Sequence, residues 1–211
     1  TEMTGAVPVY YELSEKTNWL PDLYALEKSD LSRVKIMWIN YPNMPTGTPA
    51  STELFESLVS FGRKNGILIC QDNPYSFILS KRVTSILQIS GARSVAIELN
   101  SVSKAYNMAG WRIGMLAGAA EYLEKVFIVQ SNIESGMFKP LQLAAVEALQ
   151  LPSQWFDSMN QVYRERKEVV QKIFDYLGCA YVKDTQGLFV WAKVPEGTDG
   201  FGFSDKLLYD A

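Results

Sequence analysis

The chain alternates short, unbroken apolar runs with longer stretches in which apolar residues recur at helical spacing. Val34 to Ile39 reads as a strand. Ser51-Thr52-Glu53 then opens a helix that runs to about Lys64, capped by Ser51 or Thr52, with Glu53 and Glu56 complementing the dipole of its first turn. Asn65-Gly66 ends it, because both residues tolerate left-handed backbone. Ile67 to Gln71 is the next strand, ending at Asp72. A turn and short helix around Thr84 to Ile89 lead to a strand from Val95 to Leu99, and Ile113 to Ala117 forms another before Gly118. Short strands that are apolar on both faces suit the buried positions of a mainly parallel sheet. Their alternation with helices predicts a layered α/β domain.

The second half changes character. Pro140 suits the first turn of a helix running through Leu151. Trp155 to Leu177 is a long helical stretch with a charged band, Arg164, Glu165, Arg166, Lys167 and Glu168, which reads as a solvated face. Gly178 closes it. Cys179 to Val182 and Leu188 to Val194 then read as two strands joined by Lys183-Asp184-Thr185-Gln186-Gly187. A domain change is expected near Pro152, giving one unit over 1–151 and a second, smaller α+β unit over 152–211, entered through the long helix.

Composition narrows the function classes. Of 211 residues, 47% are hydrophobic and 20% charged, the balance of a globular chain with a sizeable core. A net charge of −3 argues against nucleic acid as the main partner. No apolar run approaches the roughly 20 residues needed to span a bilayer. The chain has no histidine, which removes His-based triads and most zinc sites. Cys70 and Cys179 lie in apolar stretches and read as buried thiols. The N-terminus lacks the basic start and apolar segment of a signal peptide, so a reducing, cytoplasmic setting is expected.

Candidate chemistry gathers just past the strand ends, where ligands collect in open α/β sheets. Lys104 follows two hydroxyls, Ser101 and Ser103, and precedes Arg112 in Gly110-Trp111-Arg112-Ile113-Gly114. A lysine delivered on a loop beside anion-binding groups suits a Schiff base to a phosphorylated aldehyde cofactor. Ser101, Ser103 and Arg112 together match a phosphate dianion. Asp72 either caps the turn that follows it or faces a pyridinium nitrogen and keeps it protonated. Tyr75 is either a packed aromatic or a phenol donor to the cofactor ring oxygen. Asn40 to Gly47 forms a rigid turn with Pro42 and Pro45, and Asn43 within it is a further candidate ligand contact.

The order Asn-x-Pro-x-x-Pro-Thr-Gly, Asp-x-x-Tyr, Ser-x-x-Lys-x5-Gly-x-Arg-x-Gly resembles the class I/II aminotransferases of the aspartate aminotransferase-like superfamily (fold type I). The resemblance runs from Val9-Tyr10-Tyr11 to Gly187-Leu188-Phe189-Val190-Trp191. It implies a three-layer αβα sandwich with a mainly parallel sheet, part of a large pyridoxal phosphate domain, followed by the start of a small domain. By position, it implies that Lys104 forms the Schiff base and moves the substrate Cα proton. It likewise assigns Asp72 to the pyridine nitrogen, Tyr75 to the phenolate oxygen, and Ser101, Ser103 and Arg112 to the phosphate. The implied reaction carries an amino group from an amino acid to a 2-oxo acid, in a homodimer; β-lyase or decarboxylase chemistry at the same lysine is the alternative. Two features depart from the family. Met44 stands where an asparagine usually contacts the phenolate, leaving Asn43 as a displaced substitute. The chain also opens after the expected Gly-containing phosphate cup and stops before the arginine that grips a substrate carboxylate. It is therefore expected to be a fragment with weak activity or none, and a purely cofactor-binding role is a further alternative.

Overall fold

A computed structural model describes residues 2–80 and 82–210. After a short helix α1 (Leu23–Leu26) come β1 (Ile36–Asn40), α2 (Thr52–Asn65) and β2 (Leu68–Asp72). A 3-10 turn at Ile86–Gln88 precedes β3 (Ala96–Ser101), and α3 (Val102–Ala105) follows it without a break. Next stand β4 (Gly114–Gly118), α4 (Ala120–Ile133), α5 (Lys139–Leu149) and the long α6 (Ser153–Tyr176). A two-residue pair, β5 (Ala180–Tyr181) and β6 (Ala192–Lys193), and a helix α7 (Gly200–Asp210) complete the chain.

The main sheet has the order β1-β2-β3-β4, with the first three strands parallel and β4 antiparallel to β3. This is the mainly parallel α/β sheet expected of a partial fold-type-I large domain. Asn40 pairs in register with Asp72, and Asp72 with Leu99, so β1 and β2 finish on one line and β3 runs on past it to Ser101. Ser101 lies opposite Gly114 at the same end.

Helix α2 forms where the sequence offers both caps. Ser51 Oγ accepts the Leu54 amide at 3.1 Å, and Gly66 closes the helix with φ 66°. Its apolar stripe, Leu54, Phe55, Leu58, Val59 and Phe61, packs with Met37, Ile39, Ile69 and Ile86 as the core on one face of the sheet. The other face of β1 departs from the expectation of strands buried on both sides. Ile36 and Trp38 are 51% and 56% exposed, because that face is left largely open among the described residues.

The later elements also differ from the pattern-based reading. The β5–β6 ladder is shorter than the two runs predicted, because the residues between them dock elsewhere. Gln186 N donates to Gly47 O at 2.8 Å and Gly187 N to Ile78 O at 2.9 Å. Helices α4 and α7 had no counterpart in the sequence reading. In the charged band of α6, Arg164, Glu165, Arg166 and Glu168 are exposed, but Lys167 is not part of that solvated face. It shares a helical stripe with Met159 and Tyr163, and its Nζ donates to Thr185 O at 2.7 Å and Thr185 Oγ1 at 2.8 Å. Burial pulls its ammonium below the usual value, partly offset by the charge of Asp184. Both cysteines are free and buried, and burial pushes the Cys70 thiol up to about 11.

Gly47 packs closely against Thr185 and Gln186. Its φ is 71°, and a Cβ there would meet Thr185 Cβ at 2.6 Å and Gln186 O at 2.9 Å. Gly47→Ala is expected to destabilise the chain by more than about 1 kcal/mol, since both backbone and space oppose it. Urea unfolding measures this, and an unchanged midpoint would contradict the tight docking.

Candidate functional site

The rim formed by the strand ends is fastened by side chains that stand in for missing strand pairing. Beyond the last residue of β1, Gln71 Oε1 accepts the Tyr41 amide at 3.3 Å, and Gln71 Nε2 donates to the Tyr41 carbonyl. Asn40 Nδ2 donates to Asp72 O at 2.8 Å, while Asn40 Oδ1 accepts the Met44 amide at 2.8 Å. These contacts fix the turn after β1 against the end of β2.

Asp72 ends β2 exposed on this rim, and its carboxyl makes no hydrogen bond among the described residues. Its surroundings still exclude enough water that burial pushes the carboxyl above its ordinary value. Tyr75 is buried at 7% exposure, with its ring edge-on to Phe189 at 5.9 Å. Burial, and then the charge of Asp72, raise its phenol. The Tyr75 hydroxyl donates no hydrogen bond to any described residue.

On the neighbouring strand end, Ser101 caps α3. Its Oγ accepts the Ser103 amide at 3.1 Å and donates toward Ser103 Oγ at 2.8 Å and Ile113 O at 3.2 Å. A four-residue helix is too short to hold itself. Helix α3 is held instead by fully buried Val102, by Ala105 at 1% exposure, and by Trp155 Nε1 of α6, which donates to Ala105 O at 3.0 Å. Tyr106 adds an edge-on contact to Phe156 at 5.5 Å. Lys104 projects from this anchored turn half-buried, and its amine has no partner among the described residues. Arg112 sits at φ 56° in the loop before β4, exposed, with Nη1 donating to Ala109 O at 3.0 Å. Its remaining donors are uncommitted among the described residues.

Asn43 behaves differently from the other candidates. Its Oδ1 accepts Thr46 Oγ1 at 2.7 Å and its Nδ2 donates to Asn40 O at 3.2 Å, so both ends of the amide are engaged inside its own turn. Several residues that shape the rim were not singled out from sequence: Gln71, Asn73, Glu98 and Trp155. The one readable signal was Glu98, a carboxylate set inside the apolar run from Val95 to Leu99.

The donor set fits a phosphorylated pyridine aldehyde. A carboxylate, a phenol, an amine and most of a guanidinium stand at adjoining strand ends with no hydrogen-bond partner among the described residues. Each matches a different part of that molecule: ring nitrogen, ring oxygen, aldehyde and phosphate.

A family model for aminotransferases of classes I and II matches residues 1–210, and the chain belongs to that family. Enzymes of this family use pyridoxal 5′-phosphate. The chain is 41% identical over 213 residues to an LL-diaminopimelate aminotransferase of Desulforudis audaxviator, and 38% identical over 209 residues to one of Aquifex aeolicus. Those matches take in 100% and 98% of this chain but 54% of each relative, so the chain spans about half the length of the curated relatives it matches. Among solved structures, apo-BacF of Bacillus subtilis superposes with a TM-score of 0.92 at 31% identity, over 98% of this chain and 53% of that one. A probable N-succinyldiaminopimelate aminotransferase of Thermus thermophilus does so with 0.90 at 29%, over 98% and 56%.

The raised carboxyl of Asp72 has a measurable sign. The cofactor-free fold disfavours its charge, so this penalty is absent below the ordinary value of 3.8 and grows as pH rises through the raised value. Asp72→Asn is therefore expected to stabilise the cofactor-free chain at neutral pH and to lose that effect in acid. Urea unfolding across this range checks it; a gain independent of pH would contradict the assignment.

Proposed function

We propose that the protein of which this chain is all or part transfers an amino group from an amino acid to a 2-oxo acid with pyridoxal 5′-phosphate. The observation that carries this reading is the set of uncommitted groups at the strand ends: Lys104, Asp72, Tyr75 and Arg112, beside the paired hydroxyls of Ser101 and Ser103. When bound, the cofactor supplies an aldehyde for imine formation and a ring that withdraws electrons from the substrate Cα.

The residues divide that work. Ser101, Ser103 and Arg112 bind the phosphate, the guanidinium by charge and the hydroxyls by donation. Asp72 accepts from the ring nitrogen and holds a proton there, for which its present lack of a partner suits it. Tyr75 donates from its phenol to the ring oxygen. Lys104 Nζ holds the proton taken from the substrate Cα and returns it to the neighbouring carbon, a role of the kind that contributes about 10²–10⁴-fold in rate. Asn43 serves this site through its turn, keeping the end of β1 in shape.

Residues 1–151 carry the cofactor unit in this reading, and 152–211 the connecting helix and the beginning of the small domain. Among the described residues, no helix is long and apolar enough to cross a membrane. We place the whole protein in the cytoplasm as a homodimer. Exposed apolar residues such as Phe127, Phe138 and Leu143, at 69%, 70% and 56%, support a surface that further chain or a second subunit covers.

Incubation with pyridoxal 5′-phosphate, borohydride reduction and peptide mass analysis is expected to place the adduct on Lys104, and Lys104→Ala to abolish it. An adduct elsewhere, or none, would overturn the cofactor assignment. With the longer parent, oxo-acid-dependent amino transfer is expected from a donor panel that includes LL-diaminopimelate, the donor in its relatives' names. Release of pyruvate and ammonia would instead indicate β-lyase chemistry, and loss of carbon dioxide a decarboxylase.

A further inference from the structure

A buried polar cluster lies directly behind the rim. Glu98 on β3 is 7% exposed, and its two oxygens meet three donors. Oε1 accepts Asn73 Nδ2 at 2.9 Å, while Oε2 accepts Ser85 Oγ at 2.7 Å and the Ile86 amide at 3.0 Å. Ser85 Oγ itself accepts the Leu87 amide at 3.1 Å, so its hydrogen is free to point at Glu98. The carboxylate is thus an acceptor throughout. Asn73, at 1% exposure, has an Oδ1 that finds no donor among the described residues. Burying a carboxylate and an unpaired amide oxygen beside Ala96 and Ile97 is an unfavourable way to fill a core.

Asn73 links Asp72 to Pro74-Tyr75. Its amide donates to Leu99 O at 2.8 Å, and its side chain is directed by Glu98. The proline after it restricts its backbone to extended conformations, so Asn73, Pro74 and Tyr75 turn together. Rotation at this one residue therefore moves the phenol of the candidate site relative to the carboxylate, which the strand register holds.

We propose that Glu98 is a positioning residue: by holding the Asn73 amide from β3, it sets where Tyr75 stands relative to Asp72 and to Lys104, three residues beyond the end of that same strand. This inference rests on the cofactor reading above for its purpose, though not for its geometry. Its consequence is that the ring-facing groups are calibrated from the strand that delivers the lysine, so the two halves of the site share one reference.

The test compares Asn73→Ala, Glu98→Ala and the double variant by two readouts. The first needs no cofactor: carbon-detected NMR titration of the Asp72 carboxyl. Loosening the loop admits water, so Asn73→Ala is expected to bring that carboxyl back toward its ordinary value. The second is the pH midpoint of the visible band of the cofactor-loaded chain, expected to rise by about 0.5 unit or more as the phenol donor drifts away. Because Glu98 acts through Asn73, the double variant is expected to match the single ones rather than show their sum. Unchanged titrations in Asn73→Ala, or additive shifts in the double variant, would overturn the proposal. If Glu98→Ala does not fold, Asn73→Ala decides by itself. If the wild-type chain forms no visible band, the cofactor reading fails, while the Asp72 titration still decides the role of Glu98.

Discussion

The parallel register that sets Asn40 beside Asp72, and Asp72 beside Leu99, governs what the rest of the molecule can do. A slip of one residue would invert every side chain of a strand. Here it would send Met37 and Ile39 out of the core beneath α2 and bring Ile36 and Trp38 in. The apolar packing of one face thereby fixes the axial position of the three parallel strands to within a single residue. Once that line is set, polar contacts of ordinary strength finish the rim: Gln71 to the Tyr41 backbone, Asn40 to Asp72 and Asn73 to Leu99.

On that rim the chain treats its polar groups in two ways. Asn40, Asn43, Gln71 and Glu98 are engaged by neighbours and act as framework. Asp72, Tyr75, Lys104 and most of Arg112 keep polar groups without hydrogen-bond partners among the described residues. Holding such groups ready is unfavourable for the fold by itself, as the raised carboxyl of Asp72 records. It is favourable for a ligand, because little rearrangement is then needed when complementary charge arrives. A surface assembled only for stability would have paired Asp72 with the nearest cation.

Much of this was legible in the residues. The strands β1 to β4, the caps of α2 and the span of α6 follow from apolar periodicity and from Ser51, Gly66 and Gly178. The candidate chemistry was read from residues that fall just past strand ends in one order. What escaped was set by tertiary contact. Lys167 belongs to a charged run, and only the approach of Thr185 takes it out of solvent. The predicted hairpin after α6 is cut short because its connecting residues find better partners at Gly47 and Ile78. The bonds that Asn43 makes to Thr46 and Asn40 inside its own turn are likewise invisible in the residue order. Helix α4 hides because its apolar residues are spread around the helix, with none of them buried.

The bond from Trp155 to the Ala105 carbonyl has a bearing on how the molecule is made. It joins residues 50 apart, across a chain that is synthesised from one end. The short turn that carries the lysine leaves the ribosome well before the helix that anchors it, and four residues cannot stay helical unaided. Through that interval the amine has no fixed direction, whatever the state of the sheet beside it. If the lysine captures an aldehyde as proposed, that competence arrives late in biosynthesis, with the docking of α6, and not with the emergence of the lysine itself.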